Sequence, residues 1–314
     1  MKFDIPRPKY TGRVNTVTLG SGSNRLPVGG QEALSLHYFD GSIPNPPGFS
    51  LDVWDYDPGE DWPAALLEAY PEAVRRDPGL WAKKCVEYGA DLVTLHLKSS
   101  NPNERNTGPQ EAVASVRRVL EEVQVPLIVI GVDQTDKDVE TLSAVAEAAS
   151  GRALALGPLT ARNYKRLGAQ ALVHGHAVVA LSPTDFNLAK QLNILLFGLG
   201  MPKERIIIDP TAAALGYGME YCYSVMEQLQ TAALLYDDQD VQQPIISFFG
   251  EDTWRTKEAA QPTPEGAGPD ANPGVMLESA NSVAMLAAGA SILCLRHPLA
   301  LANARDFLEQ FTRS

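Results

Sequence analysis

Cysteine is scarce in this chain. There are three in 314 residues, Cys85, Cys222 and Cys294, far apart and never in C-x-x-C spacing, so no sequence-local zinc or iron–sulfur motif is present. Positive charge is also short. Lys and Arg number 26 against 38 Asp and Glu, a formal net charge of -12, and no Lys/Arg run interleaves with aromatics, which argues against a nucleic-acid partner. No stretch holds the ~18–20 uninterrupted apolar residues that a membrane span needs, and Met1-Lys2-Phe3-Asp4-Ile5-Pro6 has no apolar leader core. A cytoplasmic location without membrane contact is the expectation. Also missing are a G-x-S-x-G elbow, an H-E-x-x-H pair, a Walker loop and paired carboxylates at catalytic spacing, which removes the common hydrolase and phosphoryl-transfer chemistries.

What remains is an ordinary globular balance, 45% hydrophobic and 20% charged, in a chain long enough for one large α/β domain. Apolar strand-like runs alternate with helix-period segments. The expected strands are 33–36, 92–97, 127–132, 153–157, 177–181, 206–208, 244–248 and 291–295. Helices are expected at 78–88, 109–123, 136–149, 161–173, 183–199, 220–235, 276–288 and 299–311. Pro109 and Pro183 stand near first helical turns, where the missing N–H is not needed. Eight right-handed strand–helix units close a (β/α)8 TIM barrel. An N-terminal extension over 1–32 precedes the barrel domain at 33–314. Within it, 10–19 and 25–28 form a hairpin around Gly20-Ser21-Gly22 that caps the barrel bottom. The alternative, an open nucleotide-binding sheet, needs a G-x-G-x-x-G turn, and Gly20-Ser21-Gly22-Ser23-Asn24-Arg25 lacks its third glycine.

Two connections are long, 38–62 after the first expected strand and 249–274 after the seventh, and both are placed on the C-terminal face. Pro44-Asn45-Pro46-Pro47-Gly48 and the acidic, aromatic Asp52-Val53-Trp54-Asp55-Tyr56-Asp57 suit docking against another surface, and 261–270 suits a flexible lid or a solvated loop. His37, His96 and His297 fall toward the functional face, as wall residues more than as bases. His174-Gly175-His176 has metal-ligand spacing, but Gly175 sits where a helix C-cap glycine belongs, which puts His176 on the structural face. Polar groups at strand ends are Ser99-Ser100-Asn101, Asp133-Gln134, Thr160 with Asn163, and Asp209. Capping accounts for Asp133 and Thr160 at least as well as ligand binding, whereas Asn101 and Asp209 favour function.

The stretch Ile206-Ile207-Ile208-Asp209-Pro210-Thr211-Ala212-Ala213-Ala214-Leu215-Gly216-Tyr217-Gly218-Met219-Glu220-Tyr221 is the most informative. With Gly131-Val132-Asp133-Gln134-Thr135-Asp136-Lys137-Asp138, Leu156-Gly157-Pro158 and Asn163-Tyr164, it resembles the delta-subunit family of acetyl-CoA decarbonylase/synthase. In acetogens these are small subunits of the corrinoid iron–sulfur protein. The resemblance implies a barrel paired with a larger subunit that carries the iron–sulfur cluster, with a corrinoid shared at the interface and no cluster in this chain. It implies methyl transfer from methyltetrahydrofolate, through a separate methyltransferase, to acetyl-CoA synthase in the reductive acetyl-CoA pathway. Carried onto this sequence, the cofactor-facing residues are Asn101, Asp133, Asp209, Gly216 and Tyr217, with no catalytic nucleophile and no metal ligand in this chain. The competing expectation is a pterin-binding methyltransferase that itself holds methyltetrahydrofolate through Asn101, Asp133 and Asp209. A weaker one is a metal hydrolase built on His174 and His176.

Overall fold

The computed structural model describes residues 7–312; the expectation for residues 1–6 lies outside them. Two short strands, β1 (Thr16–Leu19) and β2 (Leu26–Gly29), pair antiparallel with Val17 opposite Val28. Eight parallel strands then close into a barrel: β3 (Gly48–Trp54), β4 (Leu92–His96), β5 (Leu127–Ile130), β6 (Ala155–Leu159), β7 (Ala177–Leu181), β8 (Ile206–Asp209), β9 (Ile245–Ser247) and β10 (Ala290–Leu295). The last strand returns to the first, with Ile292 beside Gly48, so the barrel sheet has no open edge. The fold is a (β/α)8 barrel with an N-terminal hairpin.

Around it lie α1 (Ala64–Ala69), α2 (Glu72–Arg75), α3 (Pro78–Glu87), α4 (Pro109–Glu122), α5 (Thr135–Ala148), α6 (Tyr164–His174), α7 (Phe186–Gly198), α8 (Met219–Leu235), α9 (Phe249–Trp254), α10 (Pro273–Ala288) and α11 (Pro298–Thr312). Their starts have chemical causes. Asp77 accepts from the Gly79 and Leu80 N–H groups, Asp185 from Leu188, and Asn272 from Gly274 and Val275, each satisfying donors that a first turn leaves free. Pro109 is the first residue of α4, whereas Pro183 lies in the turn before the Asp185 cap. Gly175 ends α6 at φ 82, a left-handed position that disfavours side chains.

Strand alternation divides the core in two. Leu92, Ile128, Ala155, Ala177, Ile207, Ile246 and Ile292 point inward and pack with Val17, Leu19 and Val28 of the hairpin. The hairpin therefore plugs the barrel's N-terminal end, and each of its buried side chains contributes about 1.5–3 kcal/mol. Leu51, Leu95, Val129, Leu156, Ile208 and Leu293 point outward, onto Trp81, Leu142, Met226 and Leu286 of the helical layer.

One strand assignment is wrong, and it moves several side chains. Residues 33–36 form no strand: Leu36 has φ 61, and the His37 N–H closes a turn onto the Leu34 carbonyl. The first barrel strand is Gly48–Trp54, inside what reads as a docking loop. Phe49, Leu51 and Val53 face the helices while Ser50 and Asp52 face the interior, so the run is a period-2 strand whose carboxylate disguises it. Residues 38–47 precede that strand and so belong to the N-terminal side. His37 goes with them, paired to Asp40 at 3.2 Å, and is not on the functional face. The second long connection is partly ordered, since α9 and its buried Phe249 and Trp254 occupy its start, while 261–270 is exposed.

Candidate functional site

A cleft of ≈ 390 Å³ opens at the C-terminal ends of the strands, where barrels of this class carry their functional loops. Two wider hollows, of ≈ 690 and ≈ 740 Å³, lie among the hairpin and the N-terminal loops. The C-terminal cleft is the better candidate, because buried polar groups of several strands converge on it.

One half of it is a self-neutralising ion network. Asp52 of β3 receives Arg296 Nε on Oδ2 at 3.3 Å, and its Oδ1 lies 3.1 Å from His96 Nε2. Lys98 Nζ reaches both oxygens of Glu251 at 2.9 Å, and Arg296 Nη2 lies 3.0 Å from Glu251 Oε2. Burial would raise the Glu251 carboxyl, but the Arg296 and Lys98 charges outweigh it and hold the group far below the usual range. The Arg296 guanidinium also lies 5.3 Å from the Trp54 ring and 5.1 Å from that of Trp62. Glu278 fixes the end of β10 by accepting the Arg296 N–H at 2.6 Å, the His297 N–H at 3.0 Å and the Trp254 Nε1–H at 2.8 Å.

The other half is acidic and unpaired. Asp209 ends β8, its Oδ1 accepting the Thr211 N–H at 2.8 Å. Burial, with Asp252 and Asp133 adding to it against the Thr211 bond, pushes its carboxyl up to about 7. Asp133 and Asp252 are likewise raised, chiefly by burial. Asp133 does not cap α5: the cap residue is Gln134, and Asp133 itself sits at φ 56, a left-handed conformation uncommon outside glycine. Its loop is braced instead by Asp138, whose Oδ1 accepts the Val132 N–H at 2.7 Å.

Of the five sequence-derived site residues, Asn101, Asp133 and Asp209 line this cleft. Asn101 is also spent on its own turn: its Oδ1 accepts the Asn103 N–H at 3.0 Å and its Nδ2 donates to Glu104 at 3.2 Å. Gly216 and Tyr217 sit outside the cleft, on the loop between β8 and α8. Tyr217 is 54% exposed and donates to Glu258 at 2.9 Å; Gly216 has φ 82, and nothing stands within 4 Å of where a Cβ would be. Leu215 and Tyr221 are exposed beside them. Thr160 and Asn163 form a turn, with the Thr160 N–H donating to Asn163 Oδ1 at 2.7 Å. His297 stacks on Trp254, and its burial lowers its pKa to about 4. His176 is a brace, accepting from the Leu154 N–H and donating to the Ala146 carbonyl. Among the described residues, no cluster of three or more His, Cys, Asp or Glu is arranged to hold a metal ion.

Asp52, Lys98, Glu251, Asp252 and Arg296 are further site residues: the misplaced first strand hid Asp52, while the other four follow strands that the sequence does reveal. The alternation Phe49-Ser50-Leu51-Asp52-Val53 is the signal for the first of them, and Arg296 immediately follows a clear strand.

Comparison with known proteins decides the kinship. The profile of the family described as CO dehydrogenase/acetyl-CoA synthase delta subunit matches residues 16–296. The chain belongs to this delta-subunit family. The acetyl-CoA decarbonylase/synthase complex subunit delta of Methanothermobacter thermautotrophicus is 36% identical over 315 residues, spanning 99% of this chain and 79% of that protein. That of Archaeoglobus fulgidus is 34% identical over 320 residues, spanning 97% and 70%. The delta-subunit barrel is also similar to dihydropteroate synthases. The Xanthomonas albilineans enzyme with 4-aminobenzoic acid superposes at a TM-score of 0.60 with 15% identity, over 95% of this chain and 98% of that one. The Thermus thermophilus enzyme with 4-aminobenzoate gives 0.55 and 16%, over 94% and 99%. At such identities the likeness is one of fold. In this delta-subunit chain no helix among the described residues is long and apolar enough to cross a membrane.

Proposed function

We propose that this chain is the small subunit of a heterodimeric corrinoid iron–sulfur methyl carrier. The carrier takes a methyl group from methyltetrahydrofolate, through a separate methyltransferase, and hands it to acetyl-CoA synthase in the cytoplasm. The observation that carries this reading is the delta-subunit kinship over 16–296. Three features of the molecule support it.

First, the rim beyond β8 suits a large flat ligand and a covering partner. Leu215, Tyr217 and Tyr221 leave 52%, 54% and 65% of their surface exposed, and the space above Gly216 is open. Second, the chain offers no thiolate nucleophile or cluster ligand set: Cys85, Cys222 and Cys294 are buried and unpaired, and burial pushes each thiol up. The iron–sulfur cluster is accordingly assigned to the larger subunit. Third, Asn101, Asp133 and Asp209 line the cleft at the strand ends. Asn101, Asp133, Asp209, Gly216 and Tyr217 would hold the corrinoid from this side, Tyr217 by covering it and excluding water, the carboxyls and amide by polar contact. When bound, the corrinoid supplies the cobalt that carries the methyl group.

A second reading, a methyltransferase that itself binds methyltetrahydrofolate, is favoured by one observation. Asp209, with its carboxyl at about 7, keeps a proton in the cleft near neutrality. The isolated chain, given methyltetrahydrofolate and free reduced cobalamin, separates the two. The carrier reading predicts no transfer above background. Transfer at the rate of the whole complex contradicts it.

A further inference from the structure

Among the buried polar atoms that the fold leaves without a hydrogen bond at the cleft, which also include Thr211 Oγ1 and the adjoining Arg296 Nη2, two stand side by side on its floor. Asp52 and His96 are 2% and 5% exposed, and both line the cleft. Asp52 Oδ1 and His96 Nε2 stand 3.1 Å apart, yet neither has a hydrogen-bond partner. Arg296 fixes the carboxylate by its Nε contact with Oδ2, and Phe248 packs edge-on against the imidazole at 6.3 Å. Orphaned buried polar atoms cost about 1–3 kcal/mol each, so a fold that fixes two of them side by side is organised around something that completes them.

Their chemistry defines that something. Asp52 Oδ1 only accepts; His96 Nε2, in its N–H tautomer, donates into the cleft. A complementary group presents a donor and an acceptor along one edge and carries no charge, since Lys98 already meets both oxygens of Glu251 and Arg296 Nε meets the Asp52 carboxylate. An amide is that group, its N–H toward Asp52 and its carbonyl toward His96. A carboxylate would meet Asp52 with like charge, and an ester would leave it unpaired.

We infer that Asp52 and His96 form a subsite for a neutral amide edge on the cleft floor. Within the function proposed above, on which the choice of ligand rests, that edge is a carboxamide side chain of the corrinoid. A pterin lactam offers the same chemistry from a different source.

The test follows the His96 ring in the full chain labelled at its five histidines. Three probes are titrated: dicyanocobinamide, which has primary carboxamides; fully methyl-esterified dicyanocobyrinate, which keeps the carbonyls but lacks N–H; and 6-methylpterin. The expected result is a shift of the His96 resonance with cobinamide, at an affinity about tenfold or more above that of the ester. Read from the visible absorption of the bound cobinamide, His96→Gln, which keeps a donor, retains most of that affinity, and Asp52→Asn loses about tenfold. If only 6-methylpterin shifts His96, the amide subsite stands and its ligand is a pterin, not the corrinoid. Equal affinity for ester and amide, or no His96 shift with any probe, overturns the subsite. A corrinoid in the native complex would still uphold the carrier reading.

Discussion

Gly131 lies against Asp138 so closely that a Cβ at Gly131 would stand 2.1 Å from Asp138 Oδ1 and 2.7 Å from its Cγ. The same Oδ1 accepts the Val132 N–H at 2.7 Å, so the backbone approach and the hydrogen bond are one device. Together they set the loop that aims Asp133 at the cleft.

Gly131→Ala should therefore cost about 1–3 kcal/mol of stability by overpacking. The cost should not add to that of Asp138→Ala, because the second change removes the atoms the first collides with. Urea unfolding of the two single variants and the double variant measures both effects.

Asp209 makes the fold pH-sensitive in a definite direction. Its carboxyl is raised from the ordinary value of 3.8 to about 7, so between those values the folded state holds more protons than the unfolded one. Its contribution is complete below about 4 and is lost as pH climbs through about 7, with an upper limit of about 4 kcal/mol. Asp209→Asn should gain stability relative to the parent chain as pH rises across this window. Unfolding both proteins side by side at several pH values cancels the opposing influence of His297 and isolates the Asp209 contribution.

Glu278 accepts three donors in a fully buried position, two of them backbone N–H groups at the end of β10. Glu278→Ala orphans all three and should destabilise the chain by at least about 3 kcal/mol. Arg296 should lose its placement between Trp54 and Trp62 at the same time. Thermal unfolding gives the first quantity, and the tryptophan fluorescence spectrum reports the second.

Most of the barrel was legible because its strands are short apolar runs between helices with strong start and stop chemistry. Gly175 and Pro109 each mark a boundary for a local reason, and the Gly20-Ser21-Gly22 turn closes the bottom hairpin. The first barrel strand was hidden because Asp52 occupies an inward position that a lone strand fills with an apolar residue. Only Arg296, 244 positions away, makes a carboxylate tolerable there. Asp133 and Asp209 were readable as strand-end groups. Asp133's freedom from capping depends on Asp138 taking over the loop, and Glu251 in the cleft is held by Lys98 from the end of another strand. Such long-range dependence leaves no local signature.

Tyr221 and Leu215 should matter little to the isolated chain and a great deal to its assembly. Tyr221→Ala is expected to change stability by no more than about 0.5 kcal/mol. In the proposed heterodimer, its affinity for the larger subunit should fall at least about tenfold, as for an exposed aromatic anchor of an interface. Calorimetric titration of the two subunits provides the comparison.

If this barrel is the covering subunit of a corrinoid carrier, purification of the native protein through a tag on this chain should show it, by subunit composition and by absorption spectrum. The expected result is a larger cluster-bearing chain in equal amount and the visible bands of a corrinoid. Recovery of this chain alone, free of corrinoid and carrying a pterin, would contradict it.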